Sequence, residues 1–252
     1  MKNISNIYRL LFSLLLFGVI SVSCNKTNSS EPNYPKRELL LLSEITLPFG
    51  EPSGLAFSEA LQKLWVVSGG DQHIYMLDTA GNIQKKLPYT GIDLEGIAFD
   101  ATDSTLWIVD EASKEIVHLD RNGTVLFHKD VLYSSKPNKG PEGITIGKDH
   151  EIYIVNERDP SVLFELDSAY SIARTYPLDF ALDYSDVSYE PLTDSFFILS
   201  DESNAFFRWN KQQGVTNKYL LPNYKNEGIA YDRAKNIFYI VNDATAKLSL
   251  YR

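Results

Sequence analysis

The chain predicts an all-β fold: a five-bladed β-propeller of four-stranded antiparallel blades, with an N-terminal strand closing the last blade. Three observations lead there. A short motif returns five times at a nearly constant period. Each return opens a series of short apolar runs separated by Asp, Asn and Gly turns. The fifth series lacks its final run, and a spare run stands ahead of the first.

The motif begins as Ser53-Gly54-Leu55-Ala56-Phe57 and returns as Glu95-Gly96-Ile97-Ala98-Phe99 and Glu142-Gly143-Ile144-Thr145-Ile146. It returns again as Ser185-Asp186-Val187-Ser188-Tyr189 and Glu227-Gly228-Ile229-Ala230-Tyr231, with spacings of 42, 47, 43 and 42 residues. Second runs follow at 64–67, 106–109, 152–155, 196–199 and 238–241, with an aromatic column of Trp65, Trp107, Tyr153, Phe197 and Tyr239. Third runs end near Asp78, Asp120, Asp167 and Asn210, and the fifth occupies 248–251. Fourth runs stand at 83–87, 125–127, 172–176 and 215–221. Runs this short, rich in β-branched and aromatic residues and bounded by turn formers, are strands. Four strands per repeat at this period is the arithmetic of a propeller. A β-sandwich of twenty strands would not need identical columns at one period.

The fifth unit stops at Arg252 after three strands. Residues 38–47 supply a strand-like run ending in Leu47-Pro48, as other outer runs end in Leu87-Pro88 and Leu221-Pro222. Pairing it with 248–251 closes the ring and removes two open sheet edges.

Ahead of the propeller (37–252) lie two other segments. Lys2 and Arg9 precede an apolar run over 10–20, too short to span a bilayer but the size of a signal-peptide core. Ser21-Val22-Ser23-Cys24 then resembles a relaxed lipobox, and Cys24 is the chain's one cysteine. Residues 1–23 are therefore expected to be a lipoprotein signal peptide and Cys24 the acylated N-terminus; plain export with an unused thiol is the alternative. Residues 24–36, polar and carrying two prolines, form a flexible tether. The expected location is a bacterial cell-envelope membrane, held through acylated Cys24, with a monomeric domain facing periplasm or cell surface. Removing 1–23 takes the formal charge from −9 to −11, with 22 positive and 33 negative residues left. Such a surface repels phosphate backbones, so nucleic acid is not expected as a partner.

In a radial fold, the start of each inner strand lies beside the end of the second strand. The first of these columns reads Ser53, Glu95, Glu142, Ser185, Glu227. The second reads Ser68, Asp110, Asn156, Ser200, Asn242, and the next residues are Gly69, Glu111, Glu157, Asp201, Asp243. These columns converge on one mouth of the central channel. Small residues there suit a tight entry into the strand, but three glutamates near one axis repel and resist desolvation. Apart from Arg158 beside Glu157, no Lys or Arg occupies the columns. Hard oxygen donors without His or Cys suit Ca²⁺ or Mg²⁺. The expected ligands are Glu95, Glu142 and Glu227, with Asp110, Asn156, Asp201 and Asn242 as further candidates; a solvated acidic funnel is the plainer alternative. The chain has no G-x-S-x-G, H-E-x-x-H, Walker or dinucleotide motif. His73, His118, His128 and His150 fall in different columns; His73 lies just past the polar mouth and reads as an exposed loop histidine, with a general base as the alternative. Asp78, Asp120 and Asp167 read as turn residues.

The segments Pro52-Ser53-Gly54-Leu55, Asp93-Leu94-Glu95-Gly96-Ile97, Pro141-Glu142-Gly143-Ile144, Ser200-Asp201-Glu202-Ser203 and Asn226-Glu227-Gly228-Ile229 resemble the SdiA-regulated family of envelope propellers over about 45–252. That resemblance implies a propeller and an envelope location. A more distant similarity is to calcium-dependent lactonases of the gluconolactonase and paraoxonase type, usually six-bladed. It implies metal binding at positions like those of Glu95, Glu142 and Glu227.

Two functions follow as expectations. The favoured one is a non-catalytic module whose acidic mouth binds a divalent cation and a small-molecule or protein ligand. The other is a calcium-dependent hydrolase of lactones, esters or phosphoesters.

Overall fold

The computed structural model describes residues 34–131, 133–136 and 139–252. The expected signal peptide, Cys24 and the tether up to residue 33 lie outside the described residues. Among the described residues, no helix is long and apolar enough to cross a membrane.

The described chain is all strand and turn. Strand β1 (Lys36–Arg37) and strand β2 (Leu41–Thr46) precede the repeats. Blade 1 comprises β3 (Pro52–Ser58), β4 (Lys63–Ser68), β5 (His73–Asp78) and β6 (Ile83–Thr90). Blade 2 comprises β7 (Leu94–Asp100), β8 (Thr105–Asp110), β9 (Glu115–Asp120) and β10 (Val125–Asp130). Blade 3 holds β11 (Pro141–Ile146), β12 (Ile152–Asn156), β13 (Val162–Leu166) and β14 (Ile172–Pro177). Blade 4 holds β15 (Asp186–Glu190), β16 (Ser195–Ser200), β17 (Ala205–Asn210) and β18 (Gly214–Leu220). Blade 5 holds β19 (Asn226–Asp232), β20 (Ile237–Asn242) and β21 (Lys247–Tyr251). Within each blade, neighbours in sequence pair antiparallel, as in the predicted propeller.

The clasp forms where the missing strand requires it. Strand β2 pairs antiparallel with β21, from Leu41 opposite Tyr251 to Thr46 opposite Lys247. The structure adds one pairing that sequence does not signal: β1 runs parallel to β18 and makes blade 4 five-stranded. The Lys218 N–H donates to the Pro35 carbonyl at 2.9 Å. Two residues carry no readable period, so only tertiary contact reveals this strand.

The aromatic column wedges the blades together. Trp65, Trp107, Tyr153, Phe197 and Tyr239 are all buried, and each joins a cluster spanning its own blade and the next. Tyr239 of blade 5 packs with Leu55 and Leu64 of blade 1, so the ring closes through its core as well as its edge. At roughly 1.5–3 kcal/mol for each large apolar side chain buried, these five interfaces dominate stability.

The turn residues behave as their spacing implies. Asp78 Oδ1 accepts the N–H groups of Ala80 and Asn82, Asp120 those of Asn122 and Thr124, and Asp167 those of Ala169 and Ser171. The repeat keeps the aspartate because it folds the hairpin.

Candidate functional site

The Glu-Gly motif places a backbone against a backbone and a carboxylate beside the axis. A Cβ added to Gly54 would lie 2.2 Å from the Glu95 carbonyl oxygen, and one on Gly96 2.3 Å from that of Glu142. One on Gly228 would lie 2.4 Å from the Ser53 carbonyl oxygen. Neighbouring inner strands thus approach too closely for a side chain. The residue just before each glycine sits at the rim of the channel, where Ser53, Glu95, Glu142, Ser185 and Glu227 line one cavity of about 400 Å³.

Ten carboxylates and three cations line this mouth. The cations gather on one side. Lys139 Nζ is 2.9 Å from Glu157 Oε1, Arg158 bridges Glu157 at 2.7 Å and Glu202 at 2.6 Å, and Lys225 bridges Asp201 at 3.2 Å and Glu227 at 3.3 Å. Lys139 and Lys225 stand outside the strand columns and enter the site from the loops ahead of the inner strands. The other side is uncompensated. Asp93, Glu95 and Glu111 each bring one oxygen within 4.8 Å of the others, and no Lys or Arg pairs with them among the described residues.

Electrostatics follow this division. Burial raises the Glu95 carboxyl to about 8, with Asp93, Glu227 and Glu111 adding repulsion. Burial and the neighbouring Glu95, Glu111, Glu157 and Glu227 hold Glu142 well above the usual carboxylate range. Glu227 rises only to about 7: burial and Asp201 push it up, and Lys225 pulls it back. Each keeps an edge open to the cavity, yet protein surrounds most of its field, so charge is poorly screened.

The second column does different work. Asp110 accepts the Ile92 N–H at 2.8 Å, and Asn242 donates to the Tyr224 carbonyl at 2.7 Å. Asn156 donates to the carbonyls of Lys139, Arg158 and Pro160 and accepts from Tyr133. Ser68 donates to the Gly50 carbonyl at 2.7 Å, and Ser200 donates to Asp183. All five are buried and fasten the end of the second strand to the loop entering the inner strand. Of the residues expected as metal ligands, Glu95, Glu142, Glu227 and Asp201 line the cavity; Asp110, Asn156 and Asn242 do not. Their polar atoms are spent on the scaffold. His73 also stands outside the lining, its Nδ1 2.6 Å from the Asp71 carbonyl oxygen.

Blade 4 departs from the motif, with Asp186 at the glycine position, and this closes the cavity floor. Its buried carboxylate accepts the Ile229 N–H of blade 5 at 2.8 Å, the Val187 N–H at 2.8 Å and the Leu55 N–H of blade 1 at 3.4 Å. One side chain thereby joins three inner strands across the axis. Beyond it a separate cavity of about 140 Å³, lined by Ile97, Ile144 and Val187, opens on the other side.

The family described as SdiA-regulated matches residues 42–245, most of the chain. The protein belongs to that family. No functionally curated protein matches its sequence. Among solved structures, this SdiA-regulated propeller is similar to a glutaminyl cyclase from Myxococcus xanthus, with TM-score 0.69 and 11% identity, covering 87% of this chain and 98% of that one. It is similar to a streptogramin B lyase, with TM-score 0.55 and 13% identity over 85% and 97% of the two chains. It is also similar to a protein of unknown function from Bacteroides caccae, with TM-score 0.54 and 12% identity over 77% and 71%. At these identities the likeness establishes the fold alone.

In this SdiA-regulated chain, a third column also reaches the mouth. Two residues before the motif stand Glu51, Asp93, Gly140, Asp183 and Lys225, and four of the five line the mouth. Gly140 is the exception with a purpose. Its N–H donates to Glu111 Oε1 at 2.7 Å, and a Cβ there would lie 2.5 Å from Glu111 Cγ. The column was readable by alignment, but its residues precede the strand and follow no strand alternation.

Proposed function

We propose that this chain is an envelope lipoprotein, anchored through Cys24, whose propeller mouth binds a divalent cation, Ca²⁺ being the expected one, and with it a small polar ligand or partner. The observation that carries this reading is the set of Asp93, Glu95 and Glu111 oxygens within 4.8 Å of one another, without a basic partner among the described residues. Calcium–oxygen distances of about 2.3–2.6 Å place oxygens on opposite sides of the ion up to about 5 Å apart, so the donor set fits. Glu142 faces the same charges and can complete the set from across the rim. When bound, the ion would offer a Lewis-acidic point for an oxygen of the ligand. The chain's own groups do the rest. Asp186 closes the floor, the buried second column fixes the loops, and the ion-paired Lys139, Arg158 and Lys225 leave the mouth selective for positive or metal-bridged groups.

Equilibrium dialysis of the purified protein with Ca²⁺ tests the reading. One ion per chain is expected, with affinity reduced at least tenfold in Glu95→Gln and in Asp93→Asn. Stoichiometry of zero, or variants that bind like the parent, would sink it. The anchor is tested separately: Cys24→Ser should leave the membrane fraction and lose incorporation of labelled fatty acid.

A second reading has one observation in its favour. Glu227, held near 7, can exchange a proton at neutral pH, as a general base must. In a calcium-dependent hydrolase of lactones, esters or phosphoesters it would take the proton of water, and Glu227→Gln would abolish turnover while leaving Ca²⁺ binding in place.

A further inference from the structure

Away from the mouth, a cleft of about 360 Å³ opens between blades 4 and 5, where the segment joining β1 to β2 crosses from one blade to the other. Four of the chain's eight arginines line it: Arg37, Arg208, Arg233 and Arg252. In a protein of formal charge −9, that is a local reversal of sign.

The cleft's own acids, Glu38 and Glu190, balance only part of the charge of these four guanidinium groups. Glu190 accepts the N–H groups of Leu192 and Thr193 and the Thr193 hydroxyl, so its oxygens are committed to a turn, and its ion pair with Arg208 is a long one at 3.9 Å. Arg208 donates instead to the Thr193 hydroxyl at 2.6 Å. Arg233 reaches only Glu59 outside the cleft, at 3.4 Å, and Arg252 only the Lys235 carbonyl, also at 3.4 Å. Among the described residues, Arg37 and Glu38 make no side-chain hydrogen bond or ion pair. Donors are therefore in surplus.

The floor is aromatic. Phe197 meets Phe238 edge-on with centroids 4.8 Å apart, Tyr231 stacks on Phe238 at 4.6 Å, and Tyr219 stacks on Phe206 at 4.4 Å. The Tyr231 hydroxyl is committed to Asn236 at 2.9 Å, whereas the Tyr219 hydroxyl has no hydrogen-bond partner among the described residues. Burial raises the Tyr219 phenol, and the charges of Arg208 and Arg37, which line the same cleft, oppose that rise. Planar guanidinium forks match oxyanions, and an aromatic floor takes an apolar body.

We propose that this cleft is a second ligand site, independent of the acidic mouth, for a small organic oxyanion (a phosphate or carboxylate carried on an aromatic or aliphatic body). The anion lies between Arg37, Arg208 and Arg252, with the body on Tyr219 and Phe238.

Calorimetric titration of the full chain with phenyl phosphate tests this, with inorganic phosphate and phenol as partial ligands. Saturable binding of phenyl phosphate, at least tenfold tighter than either part, is expected. The double variant Arg37→Gln/Arg252→Gln alters exposed side chains only and should weaken it at least tenfold with unchanged Tm. Tyr219→Phe should weaken it severalfold. No saturable binding, a double variant that binds as tightly as the parent, or phenol binding as well as phenyl phosphate would each overturn the proposal. Competition by phosphatidylglycerol vesicles would assign the natural anion to a lipid headgroup, and failure to compete would assign it to a soluble molecule; the site stands in either case.

Discussion

The Asp186 carboxylate accepts the backbone N–H of Ile229, 2.8 Å away on the inner strand of the next blade. The other four blades have glycine at this position, so the fold admits only one such side chain across its axis. Replacing it leaves the N–H groups of Ile229, Val187 and Leu55 without their acceptor in a buried place. Asp186→Ala should therefore cost about 2–4 kcal/mol in urea unfolding, and Asp186→Asn, which keeps one oxygen, about half of that. A neutral Asp186→Ala variant would show that the pin does not hold the inner strands.

The glycine column makes a complementary prediction. Gly96→Ala should destabilise by about 3 kcal/mol or more, because its Cβ would meet a carbonyl oxygen at 2.3 Å that belongs to the next blade. Gly50→Ala, with nothing within 4 Å, should stay within about 0.5 kcal/mol of the parent. The pair is compared by thermal unfolding.

Stability of the metal-free protein should fall as pH rises. In the folded state Glu95 holds its proton to about pH 8 and Glu227 to about 7, whereas both lose it near 4.5 when unfolded. Between these values the folded chain binds more protons than the unfolded one. Their contribution is thus complete below about pH 4.5 and is lost progressively up to about pH 8. Glu95→Gln should flatten the decline by about 1–2 kcal/mol between pH 5 and 8. Added Ca²⁺ should raise Tm more at pH 8 than at pH 6, since binding must displace those protons. Chemical unfolding across this range, with and without the ion, checks both statements.

The lock column separates scaffold from site. Asn242→Ala removes donors to Tyr224 and Asn226 and the acceptor of Thr245, and should cost about 1–3 kcal/mol. Its Ca²⁺ affinity, measured below the lowered Tm, should match the parent's. Glu95→Gln should do the reverse.

The clasp should be indispensable. Deleting residues 1–46 exposes the edge of β21 and removes Ile45 from the core between blades 5 and 1. Light scattering should detect association through that edge, and Tm should fall by roughly 10 °C or more.

The blade count, the strand order and the closing strand are legible in the repeat, because period and turn chemistry are local and recur five times. The convergence of Glu95, Glu142 and Glu227 on one mouth was legible too, since radial repetition carries equivalent positions to one place. What the sequence could not reveal is how neighbouring columns divide their work. Asp110, Asn156 and Asn242 are as polar as Glu95, but strand-end geometry turns them to the entry loops. Asp93, Lys139 and Lys225 reach the mouth from the loops ahead of the inner strands, outside the strand alternation. Two-residue β1 depends on meeting Lys218 and Tyr219 far along the chain, and the cross-axis reach of Asp186 joins segments up to 131 residues apart. Local pattern is written in neighbouring residues, whereas charge balance and axial contact are sums over all five blades and exist only once the ring has closed.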